Sequence, residues 1–375
     1  MKNMEFRISK AELVKILSYT QNIVERKTSM PILANILITA AQGELRLLAS
    51  NLEIIAIAKA AADITTPGKT TVNAKKFVDV VRELPEGMVH FTLEERERIL
   101  IDCDKTKIRL VGEPADEYPE PESIGLAVSS QVNSNMLLEM ISKTIYATSN
   151  DEARFNLSGV CFTNDKQGSE KLLKMTATDG NRLATIARPA ANFEFDGSLI
   201  VPKKGLIELK HILETQEDPN IGIGFRDNYM IVDTANVKLS MRLIDGEFPD
   251  CRRAIPETRG ALVTVNAGEF TSALKRALLM VDEKTKGVKF DFSENLLNIS
   301  SSSPEMGDVN EEVSASFNGE PISVGYNARY VLDVAQSLKE DQNLCMEING
   351  PKGPAKFYAE GDESYIAIVM PMRLS

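Results

Sequence analysis

Two histidines, His90 and His211, and four cysteines, Cys103, Cys161, Cys251 and Cys345, are the side chains best suited to metal or nucleophilic chemistry in this 375-residue chain. The cysteines are scattered without a C-x-x-C pair, and neither histidine has a Cys or His at ligand spacing. That spacing predicts reduced thiols and no structural zinc site. A serine or cysteine triad would need one of the histidines. His211 falls mid-helix beside Lys210, and His90 falls in the turn-to-strand run EGMVHFT, each without a nucleophile nearby in sequence. No phosphate-cradling G-x-x-x-x-G-K and no dinucleotide G-x-G-x-x-G is present. Asp233-Thr234-Ala235 and Thr178-Asp179-Gly180 come nearest to the loops in which two carboxylates share a proton. The second is scrambled, and both sit where a strand must turn, an ordinary place for Asp and Gly. The residues predict no catalytic group, no metal and no cofactor.

The elements around these residues repeat. Amphipathic helices are predicted over 9–20, 134–147 and 268–281, each opening on a Ser or Gly suited to an N-cap. Leu13, Ile16, Leu17 and Thr20 give the first its stripe; Leu137, Ile141 and Ile145, with Leu138 beside them, give the second. A second helical set, over 74–84, 203–214 and 327–339, follows the strand-like runs KTTVN, SLIVP and ISVGYN; its apolar stripe includes Phe77, Val80, Val81 and Leu84. Alternating or β-branched runs such as GELRLLAS, LLKMTATD and YIAIVMPM read as strands. The first two thirds end alike, in DEYPEPE (116–122) and GEFPDCRR (246–253). The unit is helix, strands, helix, strands, three times. The predicted fold is α+β with three similar domains, 1–125, 126–258 and 259–375, each large enough for its own core.

The net charge is -11, from 43 Lys+Arg and 54 Asp+Glu. The six helical segments nevertheless carry 13 basic and 8 acidic residues, which leaves the remainder strongly acidic. Taken singly, each is an ordinary solvated face. Together, Lys75 with Lys76 and Lys203 with Lys204 mark the starts of matching helices, where the macrodipole favours acids. Phosphate outside the helix would explain that choice. No run approaches a membrane span, and MKNMEFRISK lacks the apolar core of a secretory signal, so a soluble, cytoplasmic protein without a membrane partner is expected.

TATDGNRLA (176–184), LIDGEFPDCRRAIP (243–256), VPKKGLIEL (201–209) and VMPMRL (369–374), with MPILANILI (30–38) and LPEGMVHF (84–91), closely resemble the bacterial DNA polymerase III beta subunit family, the sliding clamps. The resemblance covers the whole chain. It implies a DNA clamp fold in which two helices per domain pack on antiparallel sheets, and a head-to-tail homodimer closed as a ring around duplex DNA. A ring that slides should touch phosphates rather than base edges, so binding would be independent of sequence. The implied function is non-catalytic: tethering the replicative polymerase alpha subunit, the clamp loader, other polymerases and repair proteins through clamp-binding peptides. The alternative from another class is a three-domain peptide-binding scaffold that never encircles DNA.

Residue by residue, the resemblance places DNA contacts at Lys27, Lys75, Lys76, Lys203, Lys204, Arg154 and Phe155. Asn156 and Asp151 depart from the aromatic residue and neutral amide common there. The partner-peptide pocket falls on Leu157, Thr178, Gly180, Arg182, Leu183, Pro249, Arg253 and Ala254, and on Ile368, Met370, Pro371, Met372 and Arg373. Its methionines would adapt to varied anchors, and its arginines would meet peptide carbonyls or acids at the rim. Asn181 stands where a larger side chain often guards the groove. At the ring seam, the strand KTKIRLVG is basic through Lys105, Lys107 and Arg109, whereas SSSSPEMGDVNEEV is acidic through Glu305, Asp308, Glu311 and Glu312. The resemblance adds Ile108 and Leu110 packing against Leu279 and Met280 of the other copy.

Overall fold

The computed structural model describes residues 4–25, 29–119, 128–190, 193, 195–281, 286–303 and 307–373. Among them stand α1 (Lys10–Ser18), α2 (Ala74–Glu83), α3 (Ser134–Ser142), α4 (Lys203–Thr215), α5 (Ala267–Ala277) and α6 (Ala328–Ala335). Ser9 caps α1 as predicted, accepting the Glu12 N–H at 3.2 Å. The predicted caps of α3 and α5 are corrected. Asn133 accepts the Met136 N–H at 2.9 Å and Asn266 accepts the Glu269 N–H at 3.0 Å. Ser134 Oγ instead donates to the Asp218 carbonyl, and a Cβ on Gly268 would lie 2.9 Å from the Glu340 carbonyl oxygen. Gly268 is there for close backbone approach rather than for capping. On α2 the buried stripe is Phe77, Val78 and Val81, while Val80, expected inside, is half-buried. Phe77 packs edge-on against Phe91, which stacks on Phe6 with ring centroids 4.6 Å apart.

Packing divides the chain into two compact units, residues 1–138 with 204–243 and residues 139–203 with 244–375. The first contains a 13-stranded sheet and the second a 12-stranded one. These sheets run on past the borders of the sequence repeat. In the first unit Val237–Arg242 pairs antiparallel with Ile54–Ala61; in the second Asp362–Val369 pairs antiparallel with Arg182–Pro189. The two crossings are copies of one another. The Arg242 N–H donates to the Glu53 carbonyl at 2.8 Å, and the Met370 N–H donates to the Asn181 carbonyl at 2.9 Å.

Strand pairing also fixes the register of the repeat. Asn35 pairs with Asn73, Gly159 with Pro202 and Gly287 with Asn327, and a helix begins at the next residue each time. Ala74, Lys203 and Ala328 are therefore equivalent, and so are Lys75, Lys204 and Arg329. The lysine pairs read as matching are offset by one residue. Lys203 takes the place of the buried Ala74, which is why it is half-buried while Lys204 is exposed. Burial lowers its ammonium pKa, with Arg182 adding to the effect.

In the first unit Ile32, Leu33, Leu37, Leu48, Ile55 and Tyr118 form a buried cluster. The Tyr118 hydroxyl accepts the Ser50 N–H at 3.1 Å. Tyr118→Phe keeps the ring but strands that buried amide, and should destabilise the protein by about 1–3 kcal/mol. Urea denaturation measures it, and an unchanged midpoint would show that the amide finds another acceptor.

Candidate functional site

All predicted pocket residues lie in the second unit. Leu183 faces Ile368 across the ladder, and both are buried, as are Leu157 and Thr178. These four would form the floor of the predicted pocket. Met370 is 44% exposed, Pro249, Arg253, Ala254 and Arg373 are exposed, and Pro371 and Met372 are half-buried. The chain beyond the last strand is held by its backbone, the Met372 N–H donating to the Gly325 carbonyl at 2.8 Å. A methionine side chain fixed only at its backbone can adapt to different guests.

The turn from Thr178 to Arg182 is built by its own side chains. Thr178 Oγ1 donates to the Arg182 carbonyl at 2.6 Å and accepts the Gly180 N–H at 3.1 Å. Asp179 Oδ1 accepts the N–H groups of Asn181 and Arg182. Gly180 has φ +91°, where an L side chain is strained. This is turn chemistry rather than the proton-sharing carboxylate pattern. Among the described residues no group of three or more His, Cys, Asp and Glu is arranged to hold a metal ion.

Arg182 does not reach the rim role expected of it. Its Nε meets Asp179 at 2.9 Å and its Nη1 meets Asp333 at 2.7 Å, while its guanidinium lies over the rings of Tyr330 (4.3 Å) and Tyr146 (5.4 Å). Two carboxylates and two aromatic rings thus hold its guanidinium. It ties the turn to α6. Arg253 and Arg373 remain as exposed arginines of the pocket.

Beside Leu183 and Pro249 opens a cleft of about 340 Å³, whose wall includes Cys161, Thr176, Thr185, Phe248 and Cys251. The sequence reading missed it. The signal lay in the repeat, since Phe248-Pro249 matches Tyr118-Pro119.

Of the predicted DNA contacts, Lys75, Lys76 and Lys204 are exposed, although Lys204 meets Glu25 at 3.1 Å. Lys203 Nζ donates to Asn150 Oδ1 at 3.0 Å. Phe155 is exposed, and Arg154 pairs with Asp151 and donates to the Asp179 carbonyl. Lys27 and Glu305 lie outside the described residues.

Among the described residues, both predicted seam strands have half-open edges. Thr106–Glu113 pairs along one side with Arg98–Cys103, and on the other side only Gly112 and Glu113 are paired. Gly307–Phe317 pairs with Leu296–Ser303 over residues 307–314, and its other side is paired only at Ala315, Ser316 and Phe317. Lys107 and Arg109 are exposed, near Asp102 and Glu94. Lys105 is exposed, and Ile108 and Leu110 are half-buried. Leu279 is 67% exposed and Met280 half-buried. Glu311, expected to face the other copy, is bound by Arg276 at 2.5 Å.

Family models for the DNA polymerase III beta subunit match the chain from end to end: the N-terminal domain at residues 4–122, the central domain at 131–250 and the C-terminal domain at 252–373. The chain belongs to that family. The beta sliding clamps of Vibrio cholerae and Escherichia coli K12 are each 30% identical to it, over 99% of this chain and all of theirs. The solved Caulobacter crescentus beta sliding clamp with PEG bound superposes with a TM-score of 0.90 at 30% identity, covering both chains entirely. The Bartonella birtlesii sliding clamp bound to griselimycin superposes at 0.91, with 27% identity over 99% of this chain and all of that one. The chain is thus a sliding clamp, a non-catalytic processivity subunit with an α+β clamp fold. Among the described residues no helix is long and apolar enough to cross a membrane.

In this clamp the strand that carries Ile368 is anchored at its far end by a network absent from the sequence reading. Arg188 Nη2 meets Glu139 at 2.7 Å and Asp362 at 2.9 Å, and Lys143 meets the same two carboxylates at 2.8 and 3.7 Å. Tyr365 adds hydroxyl bonds to Tyr146 and Ser337, both at 2.8 Å. Burial alone would raise the Glu139 and Asp362 carboxyls. The hydrogen bonds and cations around them outweigh it, and both pKa values fall. A depressed folded pKa gives stability that is present above the unfolded value, about 4, and is lost as pH falls through the folded one. Arg188→Met should therefore be destabilised at pH 7 and progressively less so toward pH 3, measured by urea melts at each pH. A deficit independent of pH would refute this account of the network.

Proposed function

We propose that two copies of this clamp close head to tail around duplex DNA in the cytoplasm, each as three repeats bounded at 1–125, 126–258 and 259–375. The observation that carries this reading is the pair of half-open strand edges, basic and apolar on Thr106–Glu113 and acidic on Gly307–Phe317. Within one copy each edge leaves ladder groups unused, a state that invites pairing with another chain. A head-to-tail contact made twice closes a dimer. Lys107 and Arg109 would exchange their partners in the chain for Asp308 and Glu312 of the other copy. Ile108 and Leu110 would pack on Leu279 and Met280.

Lys75, Lys76 and Lys204 are proposed to face phosphate, and Arg154 and Phe155 are proposed as further DNA contacts. Lys203 would act through its neighbours, since it is turned to Asn150. Such contacts are electrostatic and blind to sequence, as sliding requires. The groove of Leu183, Pro249, Ile368 and Met370 is proposed to seat the apolar anchor of clamp-binding peptides from the replicative polymerase, the loader and repair proteins. Burying one such side chain contributes about 1.5–3 kcal/mol.

The test of encirclement is topological. Loaded by a clamp loader, the protein should remain on nicked circular DNA and leave after linearisation; equal retention on both forms would favour a scaffold that binds DNA without enclosing it. The seam is tested separately. Ile108→Asp puts an unpaired charge into an apolar contact and should shift sedimentation toward monomer. A variant that still sediments as a dimer would move the interface elsewhere.

A further inference from the structure

Because the helix register aligns the repeats, one row of three side chains can be followed through the chain. In the first repeat it is Leu37, Leu48 and Ile57, paired across neighbouring strands. In the central repeat it is Cys161, Thr176 and Thr185. In the third it is Lys289, Ser300 and Asn310. The first row is packed with Tyr118 in the buried cluster. The third is polar, with Lys289 and Asn310 exposed. The central row is roofed by Phe248, Pro249, Cys251 and Ile255 but not filled, and it lines the cleft of about 340 Å³. Leucine and isoleucine fill this place in the first repeat; a cysteine and two threonines leave it hollow in the second.

We propose that this cleft extends the partner groove and receives an uncharged hydrogen-bonding side chain, Ser, Thr, Asn or Gln, next to the apolar residue seated at Leu183 and Pro249. The proposal rests on the peptide-groove reading above. Continuity supports it, since Leu183 and Pro249 line the cleft and belong to the groove. Charge supports it as well. Lys174 meets Asp165 at 3.7 Å and Arg252 meets Asp250 at 2.8 Å, so the charged groups of the wall are already paired. The rest of the lining is neutral: Leu183, Phe248, Pro249 and Ile255 are apolar, and threonines, Ser198, Asn164 and two cysteines supply the uncharged polar groups. Burial pushes the Cys161 thiol up to about 12 and the Cys251 thiol up to about 11, so neither is a thiolate at neutral pH. A charged guest would find each charged group of the wall already beside an opposite charge, and an apolar guest would take solvent from the hydroxyls without replacing it.

The experiment uses peptides with one apolar anchor and a varied neighbour, titrated calorimetrically into the full-length clamp and into Thr176→Leu/Thr185→Ile. That double variant installs two of the three residues of the first repeat's row. It also removes both partners of the 2.9 Å Thr176–Thr185 hydrogen bond together, so neither hydroxyl is orphaned. The unaltered clamp should prefer Ser, Thr, Asn or Gln over Leu, Glu or Lys at one neighbour position by roughly two- to tenfold. The filled variant should lose that preference and keep its affinity for the anchor flanked by alanine. A preference for an apolar or charged neighbour, no preference in the unaltered clamp, or a preference that survives filling overturns the extension. If the double variant folds poorly, the near-isosteric Thr185→Val is read in the same way, and an absent preference in the unaltered protein overturns the extension by itself. Failure of every anchored peptide to bind would instead overturn the groove reading itself.

Discussion

The antiparallel ladder between Arg182–Pro189 and Asp362–Val369 puts Leu183 opposite Ile368 and delivers Met370 to the carbonyl of Asn181, so the proposed groove depends on that register. A slip of one residue would turn every side chain of one strand to the opposite face. Register is defended at both ends. At one end the Thr178–Arg182 turn is locked by Asp179 and tied to α6 through Arg182. At the other, Arg188 and Lys143 gather Glu139 and Asp362. The two clusters stand at opposite ends of the ladder that carries Leu183 and Ile368. Their common effect is to keep it in place while leaving Met370 and Met372 adaptable.

The division between a fixed floor and an adaptable wall bears on specificity. Leu183 and Ile368 are buried and would present the same surface to every partner. Met370 and Met372 are linear side chains on a segment held by single backbone hydrogen bonds, and can repack around leucine or phenylalanine alike. A site of this kind binds many partners modestly rather than one partner tightly. Arg182, spent on two carboxylates and two rings, adds no selectivity of its own.

The repeat, the six helices and the strand runs were legible because hydrophobic periodicity is local, and the pocket strings were legible because they resemble a known family. Three things were not. The offset between Lys75 and Lys203 depends on which residue pairs with the neighbouring strand, and helix starts carry no mark that separates Ala74 from Lys203. The loss of Arg182 to Asp333 joins residues far apart in sequence, and an arginine in a turn reads the same whether free or clamped. The caps of α3 and α5 were misread because Asn133 and Asn266 precede an equally plausible Ser and a nearby Gly. In each case the deciding partner was nonlocal or one or two residues away.

The composition of the three rows follows from what comes next along the chain. A row of Leu37, Leu48 and Ile57 would be an adhesive patch if bare, and the segment that ends the first repeat supplies Tyr118 to bury it. The third row is polar, and Lys289 and Asn310 are exposed. The central repeat has a roof, so solubility does not oblige its row to be polar. The roof alone does not oblige it to be small, because the first repeat fills the same place with leucine and isoleucine. Cys161, Thr176 and Thr185 satisfy neither the need to pack a core nor the need to face solvent. The central row is thus the one row whose side chains its own surroundings do not require.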